Sequence, residues 1–168
     1  QAKSRGGEWL VRIEDLDSPR VVPDAADKIL RTLEAFGLHW DGAVMYQSRR
    51  HGVYEAALKM LERLDAIYPC ACSRREIADS SVSGVDGPVY PGTCRAGLPA
   101  GRAPRALRVR VNGQTVEFVD AVQGRVVRDL AADFGDFVVR RADGYFAYQL
   151  AVVVADAEQG ISEVVRGA

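Results

Sequence analysis

The feature that most restricts this chain is a stretch that cannot fold unaided. Residues 79 to 104 contain Ser80, Ser81, Ser83, Gly84, Gly87, Pro88, Pro91, Gly92, Gly97, Pro99, Gly101 and Pro104. Such a composition buries little apolar surface and favours turns over regular elements. Either the stretch is disordered or something staples it. Cys70, Cys72 and Cys94, the only cysteines in the chain, bracket and enter it. Three is odd for a disulfide framework, and Cys70 and Cys72 stand too close to pair. A reduced, cytosolic setting with a metal is the better reading. Structural zinc takes four thiolate, imidazole or carboxylate ligands in a tetrahedron. Its binding energy becomes folding energy, which suits a stretch of this kind. The residues alone leave the fourth ligand open. His51 lies upstream on an expected helix, and Tyr90, Asp86, Asp79 or water could serve. The bland alternative is three unrelated buried thiols.

A second stretch points to a binding site. Trp9-Leu10-Val11-Arg12-Ile13 has the β-branched and apolar content of a buried strand, and it breaks abruptly into Glu14, Asp15 and Asp17, then Ser18-Pro19-Arg20. In a parallel α/β sheet, ligands bind just beyond the carboxyl ends of strands. A carboxylate placed there can hold an ammonium group or a metal. Alternatively these acids only cap a turn and face water.

The remaining sequence fills in the elements. Asp24 is placed to cap a helix whose apolar stripe is Ala25, Ala26, Ile29, Leu30, Leu33 and Phe36, with Gly37 as its C′ residue. Residues 38 to 42 read as a turn. Ser48 is placed to cap a second helix, running to about Asp65, with Tyr54, Leu58, Leu61 and Leu64 as its stripe. Both stripes are expected in the core. Leu107, Val109 and Val111 alternate with Arg108 and Arg110 as a half-buried strand, and Asn112-Gly113 signals a hairpin to a partner strand over 115–119. Further strands fit at 125–127, 136–140 and 161–165, with a turn at Asp143-Gly144. Residues 145–155 are ambiguous between helix and strand. The arginines at 49–50, 74–75 and 102–110 read as solvated faces.

The totals exclude several classes. With 168 residues, 48% of them apolar, the chain suffices for one medium domain or a large one with a small insert. A net charge of -1 supplies no global field for nucleic acid, so any such contact needs a local patch. No run of 18 apolar residues spans a membrane, and no leader signals secretion. Both ends read as cut rather than finished.

Taken jointly, several motifs resemble the glutamyl- and glutaminyl-tRNA synthetase group of class I aminoacyl-tRNA synthetases. They are Arg12-Ile13-Glu14-Asp15-Leu16-Asp17 with Pro19-Arg20, Trp40-Asp41-Gly42, Gln47-Ser48, and Cys70-x-Cys72 with Tyr90-x-x-x-Cys94. To these are added Gly135-Asp136-Phe137-Val138-Val139-Arg140-Arg141-Ala142-Asp143-Gly144, Tyr148-Gln149-Leu150-Ala151-Val152-Val153-Val154 and Glu163-Val164-Val165-Arg166-Gly167-Ala168. The closer resemblance is to the branch that lacks an anticodon-binding domain.

The resemblance implies an α/β fold, with a Rossmann-like nucleotide-binding core and parallel sheet interrupted by a zinc-containing mixed α/β insert. Residues 1–69 and 131–168 would form the two parts of the core, and 70–130 the insert with its hairpin. It implies ATP-dependent activation of L-glutamate without tRNA, with Mg²⁺, followed by glutamyl transfer to the queuosine at the wobble position of tRNA(Asp). Glu14 would bind the substrate ammonium, Tyr148 would hydrogen-bond the bound glutamate, and Arg166 would pair with its side-chain carboxylate. Tyr90 would join Cys70, Cys72 and Cys94 on zinc. A monomer in the cytoplasm is expected. The group's HIGH-like segment would precede Gln1 and its KMSKS-like loop would follow Ala168, which leaves most ATP contacts unassigned. Where the group usually carries two aspartates after Val154, this chain has Ala155 and Asp156. Two alternatives remain: the catalytic core of an ordinary glutamyl-tRNA synthetase, and a zinc-stapled RNA-binding module without catalysis.

Overall fold

A computed structural model describes residues 1–80, 83–85 and 87–165. They divide into two compact units, Gln1–Glu55 and Ala56–Ala168.

In the first unit the expected buried strand is brief. β1 covers Arg12–Ile13 and pairs in parallel with β2, Met45–Tyr46. A parallel pair needs a crossover, and α1, Ala25–Ala35, supplies it. Asp24 stands at the N-cap position but in the left-handed region, and its side chain makes no cap hydrogen bond. The far end follows expectation. Gly37 has φ +69°, its N–H donates to Glu34 O and Leu38 N–H donates to Leu33 O, a Schellman closure. The apolar stripe of α1 is not core: none of its residues is buried, and Phe36 beyond its end is 78% exposed. Ser48 does not cap a helix either. Gln47–Arg49 forms a 3-10 turn, and α2 begins later, His51–Arg63. The Ser48 hydroxyl is committed elsewhere, to Asp15. Tyr54 and Leu58 are buried as expected, but Leu64 lies beyond the helix and is exposed.

The second unit is built on a three-stranded antiparallel sheet. β3 is Ile67–Cys70, followed by α3, Arg74–Ser80, and a two-residue pairing of β4, Ser83–Gly84, with β5, Gly87–Pro88. β6 is Ala106–Val109, the central strand, between β3 and β9, Val138–Arg140. β7, Thr115–Asp120, and β8, Gly124–Asp129, form a separate hairpin. The Asn112-Gly113 segment therefore links β6 to β7 without pairing them as a hairpin. The turn that closes a hairpin is the one after Asp120, whose Oδ1 accepts from Val122 and Gln123 N–H at 2.7 Å each. An aspartate bonding forward to the backbone in this way favours a turn.

α4, Leu130–Asp133, follows β8, capped by Asp129, whose carboxylate accepts from Ala131 and Ala132 N–H. The ambiguous run over 145–155 resolves as helix. α5 spans Tyr148–Gln159, buries Leu150, Ala151 and Ala155, and stops at Gly160, φ +63°. Residues 161–165 form no strand. The core of this unit gathers Tyr68, Cys70, Ala71, Tyr90 and Cys94, with Ile77 and Leu98 packed against them. Gly135 shows why a glycine is needed beside this cluster: a Cβ there would meet Val89 at 2.7 Å, in a backbone at φ +64°. That close approach lets Gly135 bridge to Tyr90.

Candidate functional site

Cys70 ends β3, and the chain turns through Ala71 and Cys72 into α3. That turn is fixed by a capping box. Ser73 N–H donates to Glu76 Oε2 at 2.7 Å, and Glu76 N–H donates to Ser73 Oγ at 3.2 Å. Arg102 locks the box from outside, with Nη1 2.6 Å from Glu76 Oε1 and Nη2 donating to Ala71 O at 2.8 Å. The Arg102 and Ser73 bonds hold the Glu76 carboxyl down at about 2. The Ser-x-x-Glu spacing is the sequence signal for this box, and it is overshadowed there by the cysteines beside it.

The three sulfurs lie within 4.8 Å of one another. Cys72 Sγ is 3.7 Å from Cys94 Sγ. Tyr90 Oη is 3.4 Å from Cys70 Sγ and 3.6 Å from Cys72 Sγ. A tetrahedron with arms of about 2.3 Å to sulfur and about 2.0 Å to oxygen has edges of roughly 3.8 and 3.5 Å. The Cys72–Cys94, Cys70–Tyr90 and Cys72–Tyr90 separations match those edges, and the group could hold an ion of zinc's size. Of the candidates for a fourth donor, Tyr90 is the one whose oxygen lies beside the sulfurs. Asp79 faces Arg75 on an exposed flank of α3, His51 is not part of the group, and Asp86 lies outside the described residues. The Ala71 N–H points at Cys94 Sγ, 3.4 Å away, and the Cys94 N–H donates to Tyr90 Oη at 2.8 Å. Both suit donors carrying negative charge.

Protonation in the metal-free group is uneven. Burial, then the hydrogen bond with Cys70, holds the Tyr90 hydroxyl far above an ordinary phenol. Burial pushes the Cys72 thiol up. Burial acts the same way on Cys94, but the Ala71 N–H and the Tyr90 hydroxyl outweigh it and bring that thiol down. A bound cation would override all three, since it deprotonates coordinating thiols outright.

Behind the sulfurs is a polar network that the sequence does not announce. Asp136 is buried and accepts from Tyr68 Oη at 2.5 Å and from Val111 N–H at 2.7 Å, with Arg95 Nη1 3.4 Å away. Burial and this bond raise the Tyr68 hydroxyl. Arg108 is also buried, against the expected alternation of β6, whose other residues are half-buried. The departure has a cause. Arg108 finds partners inward, and the ladder to β9 shifts register between Leu107 and Arg108. Such an irregularity re-aims a side chain. The sequence signal for the network is Asp136 itself, an acid set between Phe134 and Phe137 at the mouth of an apolar run.

The acid run of the first unit divides its labour. Asp15 accepts from Ser48 N–H at 2.8 Å and Ser48 Oγ at 2.6 Å, tying the end of β1 to the turn after β2. Asp41 does similar work with the Trp9 N–H at 2.8 Å, and Lys3 beside it holds its carboxyl below the ordinary value. Glu14, immediately beyond β1, is left exposed. Arg12 Nη2 lies 3.3 Å from it, and it lines a cleft of about 660 Å³ with Asp17, Arg20 and Asp27. In the second unit Tyr148 opens α5 half-exposed and lines a cleft of about 670 Å³ with Arg74, Arg75, Arg105 and Arg141. Arg166 lies outside the described residues. Ala155 is buried in α5, with Asp156 half-buried beside it.

The catalytic domain of class I tRNA synthetases (E and Q) matches residues 1–168. The chain belongs to that family. Within it, the glutamyl-Q tRNA(Asp) synthetase of Chromobacterium violaceum is 61% identical over 168 residues, which is all of this chain and 56% of that protein. The glutamyl-Q tRNA(Asp) synthetase of Dechloromonas aromatica is 62% identical over 169 residues, 99% of this chain and 56% of that protein. The chain thus spans about half the length of the curated relatives it matches. The synthetase fold agrees: a glutamate tRNA ligase from Elizabethkingia meningosepticum, solved in complex with its amino acid, superposes with a TM-score of 0.77 at 22% identity, over 96% of this chain and 37% of that one. No helix among the described residues is long and apolar enough to cross a membrane.

Proposed function

We propose that the protein to which this synthetase domain belongs activates L-glutamate with ATP and transfers the glutamyl group to queuosine at the wobble position of tRNA(Asp). The observation that carries this reading is the identity above 60% along the whole chain to proteins named glutamyl-Q tRNA(Asp) synthetase. Glu14 binds the substrate ammonium, Tyr148 hydrogen-bonds the glutamate, and Arg166 pairs with its side-chain carboxylate. The planar fork of arginine matches a carboxylate and selects glutamate over its amide by charge. Held at both ends, the substrate presents its α-carboxylate. One oxygen of it bonds to the α-phosphorus of ATP as the bond to pyrophosphate breaks, with Mg²⁺ neutralising the phosphates. Positioning and charge stabilisation carry most of such a reaction.

The cysteine group binds one structural zinc through Cys70, Cys72, Tyr90 and Cys94. Its donor separations support this, and the ion would supply cross-linking energy rather than chemistry on the substrate. Residues 1–69 and 131–168 form the Rossmann-like nucleotide-binding core and 70–130 the zinc insert. The arginines beside Tyr148 supply a local patch for RNA phosphates, which the near-neutral chain as a whole does not. The protein acts as a cytoplasmic monomer.

The fold it shares with glutamate tRNA ligases keeps a second reading in view, the core of an ordinary glutamyl-tRNA synthetase. Glutamate-dependent ATP–pyrophosphate exchange by the full-length protein separates them. Exchange without tRNA supports the proposal. Strict dependence on tRNA supports the ordinary synthetase, and no exchange under either condition supports an RNA-binding module.

A further inference from the structure

Arg108 is the only buried cation among the described residues, 7% exposed. Its Nε donates to Cys70 Sγ at 3.3 Å, its guanidinium carbon lies 3.9 Å from the Tyr90 ring centroid, and its Nη1 donates to Asp136 O at 2.6 Å. Two of these three partners are proposed metal donors, and the third is a neutral carbonyl. The nearby carboxylate does not serve as its counter-ion. Asp136 turns its oxygens to Tyr68, Val111 and Arg95 instead. A buried charge without a counter-charge is heavily penalised. The anion that Arg108 faces is therefore the donor group itself. The sign of the charge fits. Three thiolates and a phenolate on a dipositive ion leave two negative charges, and the guanidinium offsets one of them. A cation over the ring face and an N–H aimed at sulfur also favour the metal-bound forms of Tyr90 and Cys70.

We propose that Arg108 is the counter-cation of the metal group, and that it positions Tyr90 as the oxygen donor. This rests on the zinc reading above, and the burial of Arg108 within β6 is its structural trace. Partners behind metal ligands of this kind typically affect metal affinity about 10- to 100-fold.

The test compares Arg108→Gln and Arg108→Lys with the unaltered full-length protein. Zinc affinity is measured by competition with a chromophoric chelator, and the Co²⁺-substituted spectrum reports the donor set. Gln should bind zinc about 10- to 100-fold more weakly, with altered sulfur-to-cobalt bands. Lys, which keeps the charge, should recover most of the affinity. A merely structural role would move neither the spectrum nor respond to lysine. Gln within about twofold of the unaltered protein, or Lys as weak as Gln, overturns the proposal. If Gln does not fold, Lys decides alone, and a loss of about tenfold or more there overturns it. If the unaltered protein itself binds no zinc, the zinc reading falls and this proposal with it.

Discussion

The cysteine group and the acid run after β1 are both short motifs rich in potential ligands, but they differ physically. In the cysteine group the functional atoms turn towards one another. Three sulfurs and a phenol oxygen converge, and a buried arginine and aspartate stand behind them. In the acid run they diverge. Asp15 is spent on Ser48, while Glu14 faces a cleft. A site made to close on an ion leaves its signature as donor–donor distances within the chain. A site made to receive a substrate leaves charged groups looking into space, beside neighbours that only hold the scaffold.

The contrast can be broken or sharpened by substitution. The largest effect belongs to the closed site. Cys94→Ser, or strong chelation of the full-length protein, should lower the thermal midpoint by about 10 °C or more, because a structural metal contributes folding energy directly. An unchanged midpoint would mean the sulfurs are only packed thiols. Next is Asp136→Asn, which weakens three contacts to one buried carboxylate. Urea unfolding should show a loss of about 2–3 kcal/mol. The acid run should answer unequally. Asp15→Ala should cost about 1–2 kcal/mol through its two bonds to Ser48, whereas Glu14→Ala should change stability by less than about 0.5 kcal/mol while weakening glutamate binding. Equal stability losses at 14 and 15 would erase the distinction between them.

The smallest effect is a pH one, at the edge of the cysteine group. The Glu76 carboxyl is depressed to about 2 by Arg102 and Ser73. A depressed carboxyl contributes stability that is present above its ordinary value near 4.5 and fades as the pH falls towards 2. An NMR titration of Glu76 should therefore have its midpoint near 2. A midpoint near 4.5 would show that the box and the Arg102 pair are not formed in solution.

These regions are unequally legible in the sequence. Cys70, Cys72 and Cys94 around an otherwise unfoldable stretch point to a staple, because thiol spacing and turn composition are local properties. The place of Tyr90 beside the sulfurs does not follow from spacing, which leaves it one of several candidates. Arg108 departs from its expected solvated face, because a period-2 pattern assigns alternate residues to water without knowing that sulfur and a carbonyl wait inside. The β7–β8 hairpin is half legible: its strands stand out, but Asn112-Gly113 suggests the wrong partner, since a turn motif does not say which strands it joins. The stripe of α1 is legible as a helix and not as core, because periodicity fixes a face and says nothing of what covers it. Ser48 shows the same limit: a residue type suited to capping, it instead donates its hydroxyl to Asp15, and the helix starts after it.

The metal content of the full-length protein, purified without added metal, tests the central claim most directly. One equivalent of zinc per chain is expected, released together with the loss of ordered structure when Cys94 is replaced. Less than about half an equivalent, in protein that is folded and active, would contradict it.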